Sequence, residues 1–222
     1  MAATASEFLA RLDVLRAAAP DRVPMREIFA LAKELVDLPP AEIETLLERP
    51  ERDARVGAIA VMDWQARRRS TPPERRRELY ELYLRRHDRI DDWDLVDRAA
   101  PHVVGGYLAD RPRDPLYALA RSRNWWERRT AIVATWFFIR RGDLEDTFAI
   151  ADLLADDPVE LVQKAVGGWV REAGKRDRGR LRAFLDRHAA TMPRTALRYA
   201  VEGLDADEKQ HYMQVKKAHA CG

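Results

Sequence analysis

Six prolines, Pro24, Pro40, Pro73, Pro115, Pro158 and Pro193, each stand at the head of a stretch whose apolar residues recur every three or four positions. A first helical turn tolerates proline, because its N–H would find no partner there and its fixed φ suits the turn. Apolar residues at that spacing gather on one face of a helix. No window alternates with the two-residue period of a strand. The chain is therefore read as all-α, and it is punctuated too often for a bundle of long helices, so short helices should stack as hairpins. An amphipathic helix is predicted within residues 1–20, followed by twelve more segments. The longest are Glu51–Arg68, Asp91–Asp110, Asn124–Arg141 and Pro158–Ala173.

Small–aliphatic pairs recur in the middle of those four segments, at Ala58-Ile59, Ala99-Ala100, Ala131-Ile132 and Ala165-Val166. The alanines are 41, 32 and 34 residues apart. That spacing suits a HEAT-like two-helix repeat, in which small residues let neighbouring helices approach closely. Residues 1–222 are read as one helical-repeat domain, with residues 216–222 as an unstructured tail.

Composition removes several function classes. The chain of 222 residues has three serines, Ser6, Ser70 and Ser122, and none lies in a G-x-S-x-G or S-x-x-K frame. The lone Cys221 excludes an intrachain disulfide and points to a reducing, cytoplasmic setting. Five histidines show no H-E-x-x-H or Cys/His spacing, so neither a metal nor any other cofactor is expected. The most apolar stretch, Thr130–Ile139, is flanked by arginines and about half the length a membrane span needs. Charged residues in the first twenty positions argue against an export signal. A net charge of +2 does not by itself indicate a nucleic-acid partner.

The repeat register is more informative. Asp97 and Arg129 each stand two residues before an anchor alanine, and Trp93 and Trp125 six before. Each tryptophan thus shares a helical face with a charged residue one turn on. Arg52, Arg55, Arg123, Arg128, Lys164, Arg171 and Lys175 lie on or beside the same long helices, and with Trp126 and Trp169 they suit a groove that tracks phosphates. Solvated helix faces and structural salt bridges explain the same residues taken singly, since Arg67–Arg69 and Arg75–Arg77 are equally basic.

Three segments, Trp93-Asp94-Leu95-Val96-Asp97, Trp126 to Ile132 and Val162-Gln163-Lys164-Ala165-Val166-Gly167 through Arg171-Glu172, resemble the AlkD-like DNA alkylpurine glycosylases. The similarity runs from about Pro24 to Leu204, with the first helices matching only loosely. The resemblance implies a helical solenoid whose concave, basic surface holds duplex DNA. It implies hydrolysis of the N-glycosidic bond of cationic N3- and N7-alkylated purines as the first step of base-excision repair, by a cytoplasmic, nucleoid-associated monomer without cofactor. It places the catalytic carboxylate on Asp97, a supporting indole on Trp93 and the site arginine on Arg129. Trp125, Trp126, Arg128, Lys164, Trp169, Arg171, Arg52 and Arg55 would contact DNA. The family acts with the lesion largely stacked, so no deep base pocket is expected.

The chain departs from the family at one place. A tryptophan follows the Lys-Ala-aliphatic-Gly string in the family, but Gly168 stands there and the indole comes one residue later, at Trp169. One residue turns a helical side chain by about 100°, so Trp169 should point elsewhere, and Trp125 is the candidate to compensate. The alternatives are a non-catalytic DNA-binding or damage-recognition protein and a protein–protein scaffold.

Overall fold

A computed structural model describes residues 3–19 and 21–220; Cys221 lies outside them. The described residues form helices and connecting turns without a strand. Where the sequence reads as one domain, the helices gather into two compact units, residues 1–107 and 108–222. None of the described helices is long and apolar enough to cross a membrane.

The first unit contains α1 (Ala5–Ala18), α2 (Met25–Glu34), α3 (Pro40–Leu47), α4 (Arg52–Arg67), α5 (Pro73–Arg85) and α6 (Trp93–Ala99). Helix α4 is its centre. It is buried on most sides from Ala54 to Ala66 and packs against α2, α3 and α6. Helix α1 seats the Phe8 ring on Gly57 of α4, where a Cβ would stand 2.3 Å from the ring. Pro40 and Pro73 lie in first turns, and Pro24 is the N-cap of α2.

The short α7 (Gly106–Leu108) spans the junction of the units. The second unit contains α8 (Asp114–Ala120), α9 (Trp125–Ala134), α10 (Trp136–Arg140), α11 (Glu145–Leu153), α12 (Glu160–Gly174), α13 (Arg178–His188), α14 (Arg194–Ala200) and α15 (Ala206–Ala220). Helix α12 is central here, packed against α9, α13 and α14. The four anchor alanines, Ala58, Ala99, Ala131 and Ala165, are all buried, as close helix approach requires.

Two predicted long helices are interrupted. The Asp91–Asp110 segment widens into a π-helical stretch, Ala100–Gly105. Pro101 has no N–H for the Asp97 carbonyl, and its ring crowds that carbonyl, so the α-pattern cannot continue. The Asn124–Arg141 segment breaks at Thr135, whose hydroxyl donates to the Ile132 carbonyl at 2.7 Å. At the next carbonyl along, the Trp169 indole donates to Val133 O at 3.0 Å. A side chain inserted into the backbone ladder is a recognised cause of such breaks.

The C-terminus also differs from expectation. Helix α15 continues to Ala220, through most of the stretch read as a tail. No glycine or proline interrupts Val215–Ala220, and Lys216 Nζ donates to the Ala190 and Thr191 carbonyls at 3.1 and 2.9 Å.

The adjacent glycines of α12 should respond oppositely to alanine. A Cβ on Gly167 would lie 2.3 Å from the Ala196 carbonyl oxygen and 2.6 Å from Tyr199 Cβ, so α14 must shift. A Cβ on Gly168 would meet nothing within 4 Å. Denaturant unfolding should show Gly167→Ala destabilising by about 1–3 kcal/mol and Gly168→Ala stabilising by about 0.5–1 kcal/mol through helix propensity. Equal effects would contradict this packing.

Candidate functional site

In the first unit, α2, α4 and α6 enclose a cleft of about 260 Å³. Met25, Phe29, Val56 and Ile59 supply apolar walls, while Trp93, Asp94, Asp97 and Arg98 supply the chemistry of α6. Asp92 caps that helix, accepting from the Trp93 N–H at 2.8 Å. The cap leaves Trp93 in the first turn, 51% exposed. The indole is thus presented at the surface beside the cleft. Asp97 follows one turn later, partly buried on the cleft wall.

The acidic cluster before α6 is occupied. Arg52 Nε lies 2.9 Å from Asp92 Oδ2, and its Nη2 pairs with Asp94. Arg55 pairs with Asp91 and reaches the Arg89 carbonyl at 3.4 Å. Burial disfavours the charge on Arg52, but its hydrogen bonds to Asp92 and Asp94 outweigh that and raise its pKa above the usual value. Arg52 and Arg55 therefore hold the acids around the start of α6.

The candidates of the second unit also have intramolecular partners. Arg128 Nε and Nη2 contact the Asp157 carboxylate at 2.5 and 3.2 Å, and Nη1 donates to the Ser122 and Arg123 carbonyls. Arg129 is 5% exposed and donates to the Leu161 carbonyl. Arg171 pairs with Glu202 and Glu172, and Lys164 with Glu160 at 2.9 Å. Trp169 is turned toward α9 by its bond to Val133, consistent with its displaced register. Trp125 and Trp126 sit in the first turn of α9 with ring centroids 3.5 Å apart, behind the Asn124 cap.

The structure thus brings Trp93 and Asp97 together at one cleft and gives most of the predicted DNA-contacting cations intramolecular partners. Sequence reasoning did not pick out Met25, Phe29 and Arg98 as lining residues. The first two come from α2, about seventy residues before Asp97, and only the tertiary fold reveals them. Among the described residues no group of three His, Cys, Asp or Glu is arranged to hold a metal ion.

Comparisons with known proteins agree with this architecture. A family of DNA alkylation repair enzymes matches residues 23–204, so the chain belongs to the DNA alkylation repair enzyme family. Among solved structures, a protein titled a predicted DNA alkylation repair enzyme from Enterococcus faecalis superposes with a TM-score of 0.63. The two are 19% identical over 82% of this chain and 87% of that one. That likeness concerns the helical-repeat fold. No curated protein matches the chain.

The arginine contacts predict a division between structural and surface pairs. Asp157 is almost fully buried, so Arg128→Ala should strand its charge and destabilise the protein by about 3 kcal/mol in denaturant unfolding. Lys164→Ala, which opens an exposed i,i+4 pair, should change stability by no more than about 0.5 kcal/mol. A small effect at Arg128 would show that its pair does not hold the second unit together.

Proposed function

We propose that this family member is a DNA glycosylase that hydrolyses the N-glycosidic bond of cationic N3- or N7-alkylated purines in duplex DNA and so initiates base-excision repair. The observation that carries the reading is the pairing of a carboxylate, Asp97, with an exposed indole, Trp93, one turn apart on an open cleft.

An alkylated purine is already a charged leaving group and needs little general-acid help. As the bond from C1′ to the purine nitrogen lengthens, its electron pair moves to the base and neutralises the base's positive charge. Positive charge then develops on the deoxyribose. Asp97 stabilises that oxocarbenium-like centre and orients the water whose oxygen bonds to C1′, and the water's proton leaves to solvent. The Trp93 face packs against the sugar and attracts its developing cation. No covalent intermediate is required, so the chemistry calls for no serine or cysteine nucleophile. A shallow cleft suits a substrate whose base is not drawn into a deep pocket.

Arg129 enters this reading with a changed part. The sequence suggests a backbone phosphate for it, yet it is buried and bound to the Leu161 carbonyl, so a phosphate contact requires that bond to be exchanged. Its present contact fixes α9 to α12. Trp125, at the register position equivalent to Trp93, is the indole of the second unit proposed to contact the duplex.

The test is release of 7-methylguanine from a duplex. Wild-type protein should release the base, and Asp97→Asn should slow release on the order of 100-fold. Release by Asp97→Asn at the wild-type rate would remove the carboxylate from the mechanism. A wild type that binds duplex but releases nothing would favour a damage-recognition role. Trp93→Ala and Trp125→Ala should both slow release. An effect at Trp93 alone would remove Trp125 from the site.

A further inference from the structure

We propose that Lys33, Trp64, Arg67 and Arg98 of the first unit form a phosphodiester-binding site on the flank of the Asp97 cleft. The inference rests on the reading of the chain as a DNA-acting protein and names where a strand is held.

Arg52, Arg55, Arg128, Lys164 and Arg171 each lie against a carboxylate, so an anion arriving there must compete with one already in place. In the Trp64 cluster, cations outnumber carboxylates. Lys33 Nζ stands 5.4 Å from the Trp64 ring centroid, with the Arg67 and Arg98 guanidinium carbons at 5.9 and 5.2 Å. Three cations around one indole would repel one another without counter-charge. One carboxylate, the completely buried Asp63, touches two of them, Arg67 and Arg98. Arg67 Nε is 2.8 Å from one of its oxygens and Arg98 Nε 2.9 Å from the other, while His102 Nδ1 lies 3.2 Å from the first. Lys33 is exposed and pairs with no described carboxylate. Positive charge therefore exceeds negative charge here.

The buried part of the cluster is not internally satisfied. The Trp64 indole N–H and Arg98 Nη2 are buried without an acceptor, and the close Arg98–Asp63 pair lacks hydrogen-bond alignment. Burial lowers the Arg98 pKa, Asp63 opposes that, and Arg67 adds to it by repulsion. An anion at the exposed Lys33 and the half-exposed Arg67 would relieve the repulsion between the cations. The indole beside them gives a nucleotide a surface to lie on, the combination used by proteins that follow a nucleic-acid strand.

The cluster joins the cleft through shared residues. Arg98 and Phe29 line the cleft, and the Arg98 guanidinium lies 4.3 Å from the Phe29 ring centroid. Arg98 directly follows Asp97, about 100° further round α6. A strand with its sugar at Asp97 would therefore set a neighbouring phosphate toward the cations. The occupant is a phosphodiester of a DNA strand.

The experiment measures binding of the full-length protein to a labelled, undamaged duplex by fluorescence anisotropy over a potassium chloride series. Lys33 has no structural ion pair, so Lys33→Ala should fold normally, weaken binding several-fold and lower the slope of log affinity against log salt by about 1. Lys33→Glu should weaken binding further. Lys209→Ala, an equal loss of charge on exposed α15, should bind like wild type. Wild-type affinity and slope in both Lys33 variants would overturn the proposal, as would a wild type that binds no duplex. If inorganic phosphate binds in a Lys33-dependent way while duplex binding is unaffected, the strand assignment is wrong. Lys33-dependent binding without base release would defeat the glycosylase reading and leave this site standing. Base release with Lys33-independent binding would do the reverse.

Discussion

A guanidinium near the start of one long helix holds the acidic cap of the corresponding helix further along the chain. In the first unit Arg52 of α4 grips Asp92, which caps α6, while Arg55 takes Asp91. In the second, Arg128 of α9 grips Asp157, whose Oδ1 also accepts the Val159 N–H at 2.9 Å ahead of α12. Each acid neutralises its arginine and accepts a backbone N–H, at the first turn of α6 for Asp92 and just ahead of α12 for Asp157, so neighbour spacing and the start of the helix are set together. Trp93 owes its place in the first turn of α6 to this arrangement, and Asp97 lies one turn beyond.

The same device explains which parts of the site were legible in the sequence. The register that groups Trp93 with Asp97 survives because a four-residue step on a helix is a local property. The helical class and the buried alanines at positions 58, 99, 131 and 165 survive for the same reason. The intramolecular partners of the candidate cations are not such a property. Whether an arginine is open to a ligand depends on which carboxylate faces it, and Asp92 and Asp94 stand about forty residues from Arg52. Trp64 and Lys33 were passed over because neither occupies a repeat position equivalent to Trp93, and their convergence exists only once α2 lies against α4.

Helix boundaries failed for an equally specific reason. Pro101 and Thr135 sit inside stretches of good helical periodicity, and period alone does not weigh a missing donor or a carbonyl claimed from outside. The Val133 carbonyl is taken by an indole from α12, 36 residues later. The one-residue displacement of Trp169 thus has a structural consequence. An indole that faced solvent from position 168 would leave the α9 ladder alone, whereas from 169 it reaches that ladder and marks the break before α10. Gly168 itself is left beside open space.

Asp97 and Arg98 are neighbours with opposite charges, and α6 keeps them apart. One residue of helical rotation turns the carboxylate to the cleft wall beside Trp93, while Phe29, Trp64 and buried Asp63 draw the guanidinium away. A substrate with a developing cation at the sugar and an anion at the next phosphate needs such an ordered pair of environments. Were the two charges to meet, they would cancel: the carboxylate would lose its power to stabilise the sugar and the guanidinium its excess for phosphate. Asp63 therefore matters to the proposed arrangement although it is buried away from solvent, because it helps to hold the Arg98 guanidinium against Trp64 and Phe29.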